Sequence, residues 1–179
     1  MRKKLNSELN RITPGEYVEM EKIPVVVVAD NVRSLHNVGA LFRTCDAFGL
    51  EAVCLCGITA VPPNKEIHKT ALGAENSVPW EFFRRTEDAV ARLKSEGYAV
   101  WAVEQTDGAC MLGDFRAEPG KKYALVFGNE VNGVGQEAID LCDGAIEIPQ
   151  IGTKHSLNVS VSAGVVLWEV FKQLRKKRE

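Results

Sequence analysis

No stretch of this sequence approaches the ~18 consecutive apolar residues of a membrane-spanning helix. The opening MRKKLNSEL lacks the apolar segment of a secretory signal. The cysteines, Cys45, Cys54, Cys56, Cys110 and Cys142, are odd in number and fall at none of the paired spacings of a zinc site. Cys54 and Cys56 stand two apart in AVCLC, so they face one side of a strand as small hydrophobes. No metal and no membrane partner are expected, and the compartment expected is the cytoplasm. A strong charge of either sign is also missing. A formal net charge of −2 argues against wholesale coating of nucleic acid, although a local basic patch stays open. The glycine-rich GNEVNGVG (Gly128–Gly135) has no lysine after its second glycine and no G-x-G-x-x-G register, so it is neither a P-loop nor a dinucleotide fingerprint. No internal repeat, linker or low-complexity segment divides the chain.

What is present suits one globular domain: 179 residues, of which 45% are apolar and 26% charged, are enough for a full core. Leu5, Leu9 and Ile12 predict a helix over residues 3–12 that Thr13-Pro14-Gly15 ends. Val25–Ala29 is an unbroken apolar run that suits a strand buried on both faces. A polar loop then leads into a helix carrying Val38, Leu41, Phe42 and Cys45 and stopped by Gly49. Strands are expected at 52–58, 78–83, 98–103, 123–127 and 145–148, and helices near 67–72, at 86–95 and at 136–141. Strands alternating with helices at this spacing predict an α/β domain with a mostly parallel central sheet and helices on both faces. Residues 1–22 read as an N-terminal helical extension and 23–179 as the domain.

Two late segments hold polar groups beside glycines. Gly128–Gly135 follows a strand and opens a helix; a ligand-binding loop and a plain left-handed turn both remain open there. SLNVSVSAG (Ser156–Gly164) alternates like a strand, yet Leu157, Val161, Val165 and Trp168 recur at helical spacing. Length favours a helix running to about Lys172 with Ser156 as its N-cap, and local pattern alone reads as a capped, buried helix.

Three segments occur in order: NVGALFRTCDAFG from Asn37, LVFGNEVNGVG from Leu125, and IEIPQIGTKHSLNVSVSAG from Ile146. Together they resemble the three motifs of the SpoU/TrmH-type RNA ribose 2′-O-methyltransferases of the SPOUT superfamily, over roughly Val25 to Phe171. The resemblance implies a C-terminal deep trefoil knot, one of the rare exceptions to unknotted connections. It implies S-adenosyl-methionine as cofactor, held by backbone groups at Gly128, Ile148 and Leu157. It also implies a homodimer with an active site drawing on both subunits; Leu5, Leu9, Val166, Val170 and Leu174 are the apolar positions expected to pair. By motif position Arg43 is the catalytic residue, with Asn37, Glu130, Ser156 and Asn158 at the other conserved polar positions.

The implied chemistry is methyl transfer from a sulfonium to a ribose hydroxyl, so the chain must align an oxygen and help remove its proton. Arginine keeps its charge through the physiological range and makes a poor neutral base. Arg43 is therefore expected to grip a substrate phosphate and stabilise the ribose oxyanion, the proton passing to Arg43 or that phosphate, with Asn158 and Ser156 orienting Arg43 and the ribose. A 2′-hydroxyl target means RNA. The basic candidates for its phosphates are Arg33, His36, Lys65, His68, Lys69, Lys154, His155 and the tail 172–178, which equally suits a helix C-terminus. Transfer RNA is slightly favoured over ribosomal RNA, because no added ribosomal-RNA-binding domain precedes the first strand. Two other readings stand beside this one: a knotted RNA-binding or assembly protein without turnover, and a knotted enzyme that methylates a base nitrogen.

Overall fold

Seven strands pair in the order β3-β2-β1-β6-β4-β7-β5, every pair parallel. They are β1 (Ile23–Asp30), β2 (Leu50–Cys56), β3 (Trp80–Phe83), β4 (Tyr98–Val103), β5 (Cys110–Met111), β6 (Lys122–Phe127) and β7 (Gly144–Glu147). The computed structural model describes residues 1–9 and 11–175. The two-residue strand β5, at one edge, is too short to show a period in the sequence.

The centre of the sheet follows from its composition. In β1, Val25, Val27 and Ala29 join one buried cluster while Val26 and Val28 join the other, as the two-residue period of a strand requires. β6 divides likewise, with Tyr123, Leu125 and Phe127 on the first side and Ala124 and Val126 on the second. Five helices cover these faces: α2 (Leu35–Phe48), α3 (Lys65–Ala71) and α6 (Val159–Leu174) on the first, α4 (Thr86–Ser95) and the short α5 (Gln136–Ile139) on the second. The stripe Val38, Leu41, Phe42 and Cys45 of α2 is buried as its spacing predicts, and Gly49 caps that helix in the left-handed conformation (φ 61°). Cys54 and Cys56 lie together in the second cluster, where burial pushes the Cys54 thiol up to about 12.

The N-terminal expectation is corrected. Asn6–Glu8 form only a 3-10 turn, and Thr13-Pro14-Gly15 starts a helix, Pro14–Glu19 (α1), rather than ending one. Thr13 and Glu16 complete a reciprocal capping box and Pro14 takes the first helical position, where its missing N–H costs nothing. Asn10 lies outside the described residues, as do 176–178 of the basic tail. The buried Tyr17 of α1 donates its hydroxyl to the Leu50 carbonyl at 3.1 Å, so this segment is tied onto the first face.

The start of the last helix is corrected too. Asn158, not Ser156, is the N-cap: its Oδ1 accepts from the backbone N–H groups of Ser160 (2.9 Å) and Val161 (3.3 Å). The face of α6 that meets the core carries Val159, Ala163, Val166, Leu167 and Val170. The stripe Leu157, Val161, Val165 and Trp168 faces outward instead.

Strand order decides where a site can lie. From β1 the chain steps outward through β2 to β3, then crosses to β4 and leaves a slot that β6 fills later. The carboxyl ends of β1 and β6 therefore flank the reversal of strand order, the place where open parallel sheets hold ligands.

Candidate functional site

β1 ends at Asp30, a 2% exposed acid closing an apolar strand. Its carboxylate accepts from Thr86 Oγ1 (2.5 Å), from Asn31 Nδ2 (2.8 Å) and from the Gly135 backbone N–H (2.8 Å), which fastens the far end of the Gly128–Gly135 loop. Asn129 Nδ2 donates to the Asn31 carbonyl at 2.7 Å and fastens the near end. Sequence reasoning passed over Asp30, Asn31 and Asn129. The available signal was a lone acid at the end of a β-branched run, which has to meet donors if it is buried.

Held this way, Glu130 reaches the start of α2. One carboxylate oxygen accepts from the Arg33 N–H (3.0 Å), the other from the Ser34 N–H (2.9 Å) and from Asn37 Nδ2 (2.8 Å). Partial burial works against ionisation of Glu130, but these three donors outweigh it and hold the carboxyl below its ordinary range. Asn37 is 8% exposed, and its Oδ1 accepts from Asn158 Nδ2 at 3.2 Å. A chain of hydrogen bonds, Glu130 to Asn37 to Asn158, thus joins three segments more than twenty residues apart in sequence.

Of the remaining candidates, Ser156, Leu157 and Arg43 line two openings. Pro149–Thr153, Lys154, Ser156 and Leu157 line a cavity of about 320 Å³, within the range of small-molecule sites. Ile148 is half-buried against the core and Leu157 is exposed. Gly128 is buried with its backbone against Gly133 and Val134: a Cβ there would stand 2.1 Å from the Gly133 carbonyl carbon and 2.2 Å from the Val134 nitrogen. Only glycine lets this loop fold so tightly on itself.

Arg43 stands apart. It is exposed and lines a second opening, of about 480 Å³, with Thr44 and Phe48 of α2, Lys69 and Thr70 of α3, and Gly164 of α6. Six residues along α2 from Asn37 amount to about 9 Å of rise and a turn of about 120°, so the two side chains leave different faces. Neither Asn158 nor Ser156 bonds to Arg43 among the described residues. Of the other basic candidates, Lys69, which lines the same opening, and His36 both meet Glu66 (2.6 and 3.3 Å), and His68 meets the buried Glu75 (2.6 Å).

A parallel α/β sheet with a carboxylate–amide cluster and a glycine-bearing loop at its switch point defines a ligand-binding α/β fold whose site is built by loops. The SpoU rRNA Methylase family profile matches residues 24–168, and the chain belongs to that family. It is 36% identical over 178 residues to the tRNA (guanosine(18)-2′-O)-methyltransferase of Thermus thermophilus, covering 98% of this chain and 88% of that protein. It is 31% identical to the 23S rRNA (guanosine-2′-O-)-methyltransferase of Vibrio parahaemolyticus, covering 96% and 68%. Among solved structures, the A. aeolicus TrmH/SpoU tRNA modifying enzyme superposes with a TM-score of 0.78 at 29% identity, covering 89% of this chain and 80% of that one. The AdoMet-bound rRNA methyltransferase from Sinorhizobium meliloti gives 0.80 at 27%, covering 93% and 62%.

Proposed function

We propose that this protein transfers the methyl group of S-adenosyl-methionine to a ribose 2′-hydroxyl of structured RNA, transfer RNA being favoured over ribosomal RNA. The observation that carries the reading is the hydrogen-bonded chain Glu130–Asn37–Asn158, which gathers the three motif segments at the switch point of the sheet. The preference for transfer RNA is supported by the relative that matches over the larger share of its own length.

The residues present fit the cofactor. Leu157 lines the smaller opening, half-buried Ile148 directly precedes the residues that line it, and the close-folded Gly128 loop adds backbone groups, with no charged side chain needed to hold an adenosyl group. Bound there, S-adenosyl-methionine supplies a sulfonium-activated methyl group. The chain's own residues do the rest. Glu130 fixes the Gly128–Gly135 loop on the start of α2, and Asn158 fixes the start of α6 on Asn37. Ser156, on the rim of the smaller opening, meets the ribose. Arg43, with no hydrogen-bond partner among the described residues, has its guanidinium N–H groups free to grip a substrate phosphate bidentately and to stabilise the ribose oxyanion. The hydroxyl proton passes to Arg43 or to that phosphate.

The reading includes a C-terminal trefoil knot in the 23–179 domain, tied by the loop after Phe127, the 148–153 loop and the start of α6. Its support is the late insertion of β6 between β1 and β4, the fastening of the first loop to β1 at Asp30, and the bond from Gln105, just past β4, to the His155 carbonyl ahead of α6. It also includes a homodimer. Val166 and Val170, two of the positions expected to pair, are fully buried in the chain's own core. The outward stripe Val161, Val165 and Trp168, 50%, 40% and 48% exposed, is the better surface, and it lies on the helix that borders the Arg43 opening. A second copy seated there would bring its own knot loops to Arg43. Five free cysteines support action in the reducing cytoplasm.

Incubation with methyl-labelled cofactor and, separately, bulk transfer RNA and ribosomal RNA tests the reading. Label is expected in the transfer RNA pool and lost in an Arg43→Ala variant. A wild-type protein that binds both RNAs and labels neither would leave the non-catalytic alternative in its place.

A further inference from the structure

We infer that Glu104 and Gln105, two adjacent residues that none of the three motifs contains, are positioning residues that hold the two cofactor loops at a fixed separation. The inference rests on the reading above, in which those loops bind S-adenosyl-methionine. Both residues follow β4 directly, and the Glu104 N–H continues the sheet by donating to the Ile146 carbonyl at 3.1 Å. The pair thus starts from rigid backbone at the carboxyl end of the sheet.

Each residue then takes hold of a different loop. Glu104 Oε2 accepts the Val134 N–H at 3.0 Å, while its Oε1 accepts the Gln105 N–H at 2.8 Å, so the carboxylate is oriented by two donors. Gln105 Nε2 donates to the His155 carbonyl at 2.7 Å, beside Ser156 and Leu157. Gly133 makes the first grip possible. Its φ is +67°, and a Cβ there would stand 2.1 Å from Glu104 Oε2. Gly133 also exchanges both backbone hydrogen bonds with Asn129 (2.9 Å each), which carries the constraint to the neighbouring Gly128 and Glu130.

A cleft between two loops binds best when its width is set before the ligand arrives, because ordering the loops would otherwise be subtracted from the affinity. Losing one such tie is worth about a tenfold loss of affinity, the scale of a single net hydrogen bond. The signature follows from the geometry: cofactor affinity falls, whereas chemistry on the bound complex does not.

The test is calorimetry with S-adenosylhomocysteine, together with steady-state methyl transfer, on wild type, Glu104→Ala, Glu104→Gln, Gln105→Ala and Gln105→Glu. Each Ala variant is expected to raise the Kd for S-adenosylhomocysteine and the KM for S-adenosyl-methionine about tenfold. Turnover at saturating cofactor and the KM for RNA should stay within about twofold, since the reacting groups are untouched. Glu104→Gln, which retains an acceptor for Val134 but turns its NH2 toward the Gln105 N–H, should recover part of the affinity. Gln105→Glu, of equal size but without a donor, should not. Gln105 is exposed, so its variants keep the test decisive even if Glu104→Ala melts early. Unchanged Kd and KM in both Gln105 variants, or a fall in turnover at unaltered cofactor KM, overturns the inference while leaving the functional reading in place. A wild-type protein that binds neither cofactor nor product overturns both.

Discussion

At Glu130 a single side chain joins the second motif to the first, and its ionisation is part of the connection. The donors from Arg33, Ser34 and Asn37 hold its pKa below the ordinary value, so their stabilisation is fully present above that value and is lost as pH falls through the lower, folded one. Wild type should therefore show an acid-side loss of melting temperature that Glu130→Gln lacks. At neutral pH that variant should melt lower, because its amide sets an NH2 against N–H donors. Identical acid limbs in differential scanning calorimetry of the two proteins would contradict this. Arg43 gives the opposite kind of prediction. Arg43→Ala should leave cofactor affinity and melting temperature near wild type and lower turnover by ~10²–10⁴, while Arg43→Lys rescues little, since a point charge cannot make the two-pronged grip. Recovery by lysine would point to a structural arginine. At this scale the motif residues were legible in the sequence because their types match a known pattern. Asp30, Glu104 and Gln105 were not, because they act by hydrogen bonds to backbone groups thirty or more residues away, and such partners leave no local period.

Among the elements, α6 shows best what a period can and cannot tell. Its existence followed from length and spacing, but apolar residues recur on two faces, and only the packed structure shows that Val159, Ala163 and Val166 are the inner ones. Its cap was misplaced by two residues because Ser156 and Asn158 are both good N-caps. The same asparagine serves the helix through Oδ1 and the site through Nδ2, and the two roles separate by substitution. Asn158→Asp keeps the capping oxygen and adds charge where the helix dipole favours it, but it cannot donate to Asn37. Its melting temperature should match wild type while methyl transfer falls at least tenfold. Asn158→Ala should lose the activity and about 1 kcal/mol of stability besides. An active Asp variant would remove Asn158 from the site and leave it a cap alone. The N-terminal error has a related cause. Thr13-Pro14-Gly15 reads as a stop by composition, whereas Glu16 converts it to a start by reaching back to Thr13.

For the whole molecule, strand and helix alternation made the parallel α/β architecture legible, down to most element positions. Strand order was not, because nothing local tells β6 to enter between β1 and β4. Assembly belongs to the same scale. Val165→Arg, on an outward turn of α6, should leave the chain folded and convert a dimer to a monomer in light scattering at micromolar concentration. Activity should be lost with the dimer if Arg43 serves a partner's loops. A wild-type monomer, or an active monomeric variant, would contradict the shared site.

The central claim is that the methyl group goes to a ribose oxygen, and its most direct measurement is the fate of labelled RNA in alkali. A 2′-O-methyl group removes the hydroxyl that alkaline cleavage needs. The account predicts that label introduced by wild-type protein is recovered in alkali-resistant dinucleotides and, after complete nuclease digestion, in 2′-O-methylated nucleosides. Label recovered in alkali-released mononucleotides carrying a methylated base would contradict it.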